Sequence, residues 1–277
     1  MEKREITLGH SPDPDDAFMF YALAAEKIDT HGITFYHVIQ DIETLNRRAM
    51  NAELDVTAVS IHAYAYVLEQ YALLTSGASM GDDYGPLVVS RVPMSVDELR
   101  SATIAVPGMM TTAYLTLRLC IGEVRTVVVP FDQIMDSIQR GDVDAGLLIH
   151  EGQLTYSARG FHKVIDLGEW WMSETGLPLP LGGNAIKKSL GPELIGLVSR
   201  LLRQSIEFGL KNREVAVRHS MKYGRGMAES LTDKFVGMYV NDYTIDYGER
   251  GRDAVRLLLG RAHDAGIIPR PVRLEFA

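Results

Sequence analysis

The chain contains a single cysteine, Cys120, in 277 residues, so no internal disulfide can form. That excludes a disulfide-stapled secreted framework and favours a reducing compartment. In "AYLTLRLC" the cysteine reads as a small buried hydrophobe. Positive charge is also scarce. Against 36 Asp and Glu stand 28 Lys and Arg, a net charge of -8. An acidic chain gains nothing from phosphate attraction, so nucleic acid is not an expected partner. No apolar run is long enough to cross a bilayer, and no signal core follows the basic residues of "MEKREITLGH". A cytoplasmic protein with no membrane partner is expected. Metal signatures are missing too. His10, His62 and His150 lie at corners that might converge, but none shows HxxxH or HxH spacing.

What is present is ordinary in bulk. A hydrophobic content of 46% and a charged content of 23% fit a globular protein, and the length fits one large or two medium domains. Strand-like and helix-like segments alternate from the start. "EITLGH", "ITFYHVIQ" and "DVTAVS" read as strands. "DDAFMFYALAAEKI", "DIETLNRRAMNA" and "IHAYAYVLEQY" read as the helices between and after them. "GPLVVSR" adds a strand, and the rhythm restarts with "SATIAVPG", "VRTVVVP" and "VDAGLLIH". Such a βαβα rhythm calls for a largely parallel sheet with helices on its faces. Beyond the Gly/Pro-rich "TGLPLPLGGN" the chain reads as mainly helical.

The two halves echo each other. "MNAELDVTAVSI" and "QRGDVDAGLLIH" each carry a helix end, a turn with an acid, an Asp, an apolar strand and a polar residue. This layout predicts two α/β lobes, the second inserted into the first. Lobe 1 takes residues 1–90 and 185–277, and lobe 2 takes 91–184. Two crossings near "LVVSRVP" and "LPLPLGGN" permit a hinge, and a hinge makes a cleft. One continuous doubly wound domain is the alternative.

In open α/β sheets, ligands bind beyond the carboxyl ends of the strands, so each strand-to-helix corner is a candidate contact. "GHSPDPDDAF" places Ser11, Asp13, Asp15 and Asp16 at a helix start, where capping explains most of the motif. Ser11 is also a candidate ligand contact. Ser60 in "TAVSIHAY" is an N-cap, a hydrogen-bond donor to a ligand, or both. "VPGMMTTAY" brings Thr111 and Thr112 to the start of another helix. Free N–H groups and two hydroxyls there suit a carboxylate, and helix capping alone is the competing reading. The corner has no P-loop spacing and no following Lys, so it is not read as a nucleotide site. Trp170 and Trp171 read as packing between lobes.

"LLIHEGQLTY" poses the sharpest question. An apolar strand runs directly into His150, a side chain that titrates near neutral pH. His150 is either a strand-terminating or core histidine, or a proton acceptor facing a cleft. If the lobes face each other, His150 and the two threonines form one wall and Ser60 the other.

"SPDPDDAFMFYAL", "PGMMTTAYL", "AGLLIHEGQLTY" and "DLGEWWMSETGLPLPLGG" resemble, in order and over nearly the whole chain, the menaquinone-biosynthesis family of the futalosine route. That family includes 1,4-dihydroxy-6-naphthoate synthase. The resemblance implies a two-lobed α/β fold of the type 2 periplasmic-binding-protein kind, with a ligand cleft between the lobes. It implies a lyase that acts on cyclic dehypoxanthinyl futalosine and releases a small sugar-derived fragment. It places the proton acceptor at His150 and ligand contacts at Ala58, Val59 and Ser60 and at Thr111 and Thr112. One corner departs from the family pattern. Asp13, Asp15 and Ala17 stand where some members read Cys, Asn and Thr. The chemistry implied is an elimination that ends in an aromatic ring. It needs orientation, a carboxylate anchor and one base, with no metal, nucleotide or redox cofactor. Two rivals use the same fold: a non-catalytic cytoplasmic protein that binds small carboxylates, and the sister enzyme chorismate dehydratase. The "LLIHEG" ending favours the later enzyme.

Overall fold

The computed structural model describes residues 4–277. Its strands are β1 (Arg4–His10), β2 (Ile33–Ile39), β3 (Val56–Ser60), β4 (Tyr71–Leu73), β5 (Ser79–Gly81), β6 (Leu87–Ser90), β7 (Thr103–Val106), β8 (Arg125–Val128), β9 (Ala145–Leu148), β10 (His162–Asp166) and β11 (Leu179–Lys187). They form two sheets. The first has the order β2-β1-β3-β11-β4, with β5 also on β11. The second has the order β10-β6-β9-β7-β8.

Both sheets are mixed, which corrects the expectation of a largely parallel one. β1 pairs in parallel with β2 and β3, and β7 with β8 and β9. β11 runs antiparallel to β3, β4 and β5, and β6 runs antiparallel to β9 and β10. The parallel pairs come from the helix-linked repeats. The antiparallel ones come from strands where the chain enters or returns without a crossover helix. β11 is the largest surprise. Its "LPLGG" run reads as a loop, yet it lies in the first sheet with a register shift between Pro180 and Gly182. A bulge of this kind is where a sheet tolerates proline.

Central strands are buried on both faces. All of β3 (VTAVS) and all of β9 (AGLL) are buried, which explains the unbroken apolar reading of β9. One face of the first sheet is covered by the helix Pro192–Lys211, through Leu194, Val198, Leu201, Leu202 and Ile206 at helical spacing. The other is covered by the helix Gly248–Asp264, through Val255, Leu258 and Leu259. Trp171 is fully buried in that second cluster, although its helix, Leu167–Thr175, follows a strand of the second sheet. It therefore packs between the two halves, and its indole N–H donates to Pro178 O at 3.1 Å.

Sheet membership shifts the expected boundaries at 91 and 184. β6 already belongs to the second sheet and β11 already belongs to the first. The crossings are therefore 82–86 and 167–178. They touch at Gly85 and Gly168, where a side chain on either would run into the other crossing's backbone. The segment read as one helix, "DDAFMFYALAAEKI", is two short helices, Pro14–Met19 and Tyr21–Ala24, that meet at Phe20.

Candidate active site

The carboxyl ends of β1, β3, β7 and β9 surround one cavity. It encloses about 740 Å³ not filled by protein atoms, part of it open to solvent. Ser11, Ala58, Val59, Ser60, Thr111, Thr112 and His150 all line it. Ser11, Ala58, Val59 and Ser60 come from the first sheet's corners, and Thr111, Thr112 and His150 from those of the second. His10 and His62 do not line it. His10 pairs with His37 at 3.1 Å, and His62 faces Thr111 O at 3.3 Å. Burial pushes the His62 imidazole down to about 4, so this ring is neutral at pH 7.

His150 lies two residues beyond β9, in the left-handed region at φ 59°. Only a few per cent of non-glycine residues adopt it, and histidine is among those enriched there. The turn swings the ring off the strand line and into the cleft. Nδ1 lies 3.0 Å from Asp13 Oδ2, off the line of a well-formed hydrogen bond. Nε2 is buried and has no hydrogen-bond partner among the described residues. The edge of the ring meets Phe131, centroid to centroid 4.7 Å. A buried ring nitrogen without a partner is costly in a purely structural histidine, and it is what a cavity-facing base requires.

The acidic corner does more than cap a helix. Asp13 occupies the N-cap position of Pro14–Met19 yet makes no capping hydrogen bond. Its Oδ1 instead accepts from Arg225 Nη1 and Nη2, both at 3.1 Å. Arg225 also donates to Glu151 Oε2 at 2.7 Å and stacks over Phe131 at 4.6 Å. Asp16 Oδ2 accepts from both the Ser11 N–H, at 2.6 Å, and the Ser11 hydroxyl, at 2.8 Å. Burial pushes the Asp16 carboxyl up to about 6 against those bonds. Burial, then Asp16 and Asp13, raise Asp15 well above the usual carboxylate range. Its Oδ1 is buried without a partner. Burial and the two neighbouring carboxylates thus disfavour the ionised form of Asp15.

The opposite corner is differently built. Thr111 caps the helix Thr112–Ile121: its hydroxyl accepts from Tyr114 N–H at 3.2 Å and donates to Gly108 O at 2.8 Å. The Thr112 hydroxyl donates to Leu181 O and accepts from His62 N–H. Neither threonine hydroxyl has a free proton, which corrects the expectation that both serve as donors. What the corner does offer is the first helical N–H groups, Thr112 and Ala113, which have no acceptor within the helix. Gly108 is required by a close approach, because a Cβ there would run into the Glu43 carboxylate. Glu43 in turn accepts from Met110 N–H at 3.1 Å, across the cleft.

Ser60 is free to donate. Its hydroxyl accepts from Asn46 Nδ2 at 3.0 Å and donates to nothing among the described residues. Sequence reasoning missed Asn46, Gln153 and Arg225. Asn46 sits mid-helix, and Gln153 accepts from the buried Tyr239 hydroxyl at 2.6 Å. Arg225 lies 212 residues from Asp13 in the sequence, so no local pattern can pair them. Neither Trp170 nor Trp171 lines the cavity.

The arrangement is a half-buried imidazole facing a helix start, with the Ser60 hydroxyl and the Asp15 carboxyl on the opposite wall. A family model described as menaquinone biosynthesis matches residues 6–264. A protein named 1,4-dihydroxy-6-naphtoate synthase from Thermus thermophilus is 38% identical over 270 residues, 96% of this chain and 98% of that protein. One of the same name from Streptomyces coelicolor is 38% identical, over 97% and 96% of the two chains. The crystal structure of protein AF1704 from Archaeoglobus fulgidus is 46% identical, covers 97% of this chain and 100% of its own, and superposes with a TM-score of 0.93. The alkanesulfonate-binding protein SsuA from Xanthomonas axonopodis, at 9% identity and a TM-score of 0.75, shares the periplasmic-binding-protein fold alone.

Proposed function

This chain belongs to the menaquinone-biosynthesis family, and from that premise we propose that it is a 1,4-dihydroxy-6-naphthoate synthase. It acts on cyclic dehypoxanthinyl futalosine, in the cytoplasm, by base-initiated elimination. The observation that carries the reading is the buried, unpartnered Nε2 of His150 in a cavity shared with a helix start. A substrate carboxylate docks on the Thr112 and Ala113 N–H groups, where the helix dipole favours negative charge. The Ser60 hydroxyl donates a further hydrogen bond from the other wall. His150 Nε2 then takes a proton from the ring system. That electron pair forms a ring double bond, and the bond to the sugar-derived fragment breaks with its pair leaving on the fragment. Aromatisation drives the step.

Among the described residues no Lys or Arg lines the cavity. The site is therefore matched to a carboxylate held by N–H dipoles and the Ser60 hydroxyl, not to a polyphosphate or nucleic acid. The lobes close on the substrate about the crossings at 82–86 and 167–178.

Incubating the purified protein with cyclic dehypoxanthinyl futalosine, and separately with chorismate, tests the assignment by mass spectrometry of the products. Release of the naphthoate from the first alone is expected. Conversion of chorismate would assign the sister reaction. Binding of either without consumption would make the protein a receptor.

A further inference from the structure

We propose that Asp13, clamped by Arg225, is a positioning residue that holds the His150 ring with its proton on Nδ1 and its lone pair on Nε2, inside the cavity. The inference rests on the reading of His150 as the base. A neutral imidazole has one N–H and one lone pair, and only the nitrogen with the lone pair accepts a proton. Which nitrogen that is depends on what the other one meets.

Here Nδ1 meets a carboxylate oxygen at 3.0 Å, and Nε2 meets nothing among the described residues. A carboxylate between two donors only accepts, so the proton belongs on Nδ1. Asp13 itself has no freedom to turn away. Its side chain is 1% exposed, and two Arg225 nitrogens fix its other oxygen. The same guanidinium donates to Pro12 O at 3.0 Å and reaches Glu151, the residue after His150. One cation therefore ties the corner that carries Asp13 to the turn that carries His150. Phe131 fills the remaining side, its ring edge-on to His150 and face-on to Arg225. The abandoned cap supports the same conclusion. Asp13 has the extended N-cap backbone, φ -119° and ψ 152°, from which an Asp ordinarily bonds a helical N–H, but its carboxylate reaches across the cleft.

The charged and titratable groups that face His150 are Asp13 and Asp16 from the first corner, Glu151 beside it and Arg225 above. Of these, only Asp13 lies within bonding distance of the ring, so its removal should change the ring selectively.

The test uses the full chain labelled with ¹⁵N-histidine, without substrate, at a pH chosen so that the ring nitrogen shifts report the neutral form. Subtracting the spectrum of His150→Asn identifies its signals among the eight histidines. The wild type should show Nδ1 protonated and Nε2 with the lone pair. Asp13→Asn should shift the proton towards Nε2, and Asp13→Glu should restore the wild-type pattern in part. Turnover of Asp13→Asn should fall by about 10²–10⁴-fold with KM nearly unchanged, because the ring is present but in the wrong tautomer. A wild-type ring protonated on Nε2, or an Asp13→Asn ring identical to wild type, would overturn the proposal. Failure of the substrate assignment would leave the tautomer result standing, so the two can be told apart.

Discussion

Two helix starts face each other across the cleft, and in the sequence they look alike. "SPDPDD" and "PGMMTT" both follow a strand, both contain proline and both place capping residues before a helix. In the structure they divide the labour. Thr111 caps its helix, and both threonine hydroxyls are used up within the protein. Asp13 stands at the cap position and leaves the cap unmade. The first corner to be satisfied internally offers a ligand only backbone N–H groups. The other turns its carboxylates to the His150 ring, the Arg225 guanidinium and Ser11. A capping residue that does not cap has been recruited elsewhere, and that is a readable sign of function.

The contrast breaks most severely at the residue the acidic corner serves. His150→Asn removes the basic nitrogen and keeps most of the volume. Turnover should fall by about 10²–10⁴-fold with folding and ligand affinity nearly intact. In the wild type the rate should fall in acid, because a base must be unprotonated to act. A variant that turns over at the wild-type rate would move the base elsewhere. Loss of stability alone would make His150 a core histidine.

Thr111→Ala tests the other corner, and its effect belongs to folding. Losing a threonine N-cap costs about 0.5–2 kcal/mol, read as a lower denaturation midpoint. Affinity for a carboxylate ligand should hold, since the Thr112 and Ala113 N–H groups remain. Weakened binding with an unchanged midpoint would reverse the assignment and restore the hydroxyl as the anchor. Ser60→Ala should do the opposite. It removes a donor that the protein does not use for itself, so binding should weaken by about 0.5–1.5 kcal/mol by titration calorimetry, with little change in stability. Equal loss in both would mean that the Asn46 contact is its main role.

Asp16→Asn keeps the contacts of its corner, because the amide oxygen still accepts from Ser11, and its effect is on the pH dependence of stability. The folded state raises the Asp16 carboxyl from 3.8 to about 6. Its contribution to stability is then fully present below the unfolded value and lost as pH rises through about 6. The variant should gain on the wild type in melting temperature as pH climbs from 4 to 8. Parallel curves would show that burial does not strain this carboxyl.

Much of this was legible in advance, for local reasons. The unbroken apolar run of β9 announces a strand covered on both faces, and the i, i+3, i+4 spacing of the helix Pro192–Lys211 announces its buried face. Ser11, Ala58, Val59, Ser60, Thr111, Thr112 and His150 were named from corners and resemblance, and the fold gathers all seven around one cavity. β11 was not legible, because proline and paired glycines suppress the strand signal and only pairing on both sides restores it. The hydroxyl roles were not legible either. Thr112 spends its proton on Leu181, 69 residues away.

The sequence alone determined the element alternation, the halves that echo each other, the acidic balance and the corners where chemistry sits. All of these follow from neighbours within a few turns of chain, where periodicity and capping preferences act. Tertiary structure decided which polar atoms are spent and which remain free. Asp13 is a cap in one dimension and the partner of His150 and Arg225 in three, because hydrogen-bond accounting closes only when residues 137 and 212 positions apart are brought within about 3 Å.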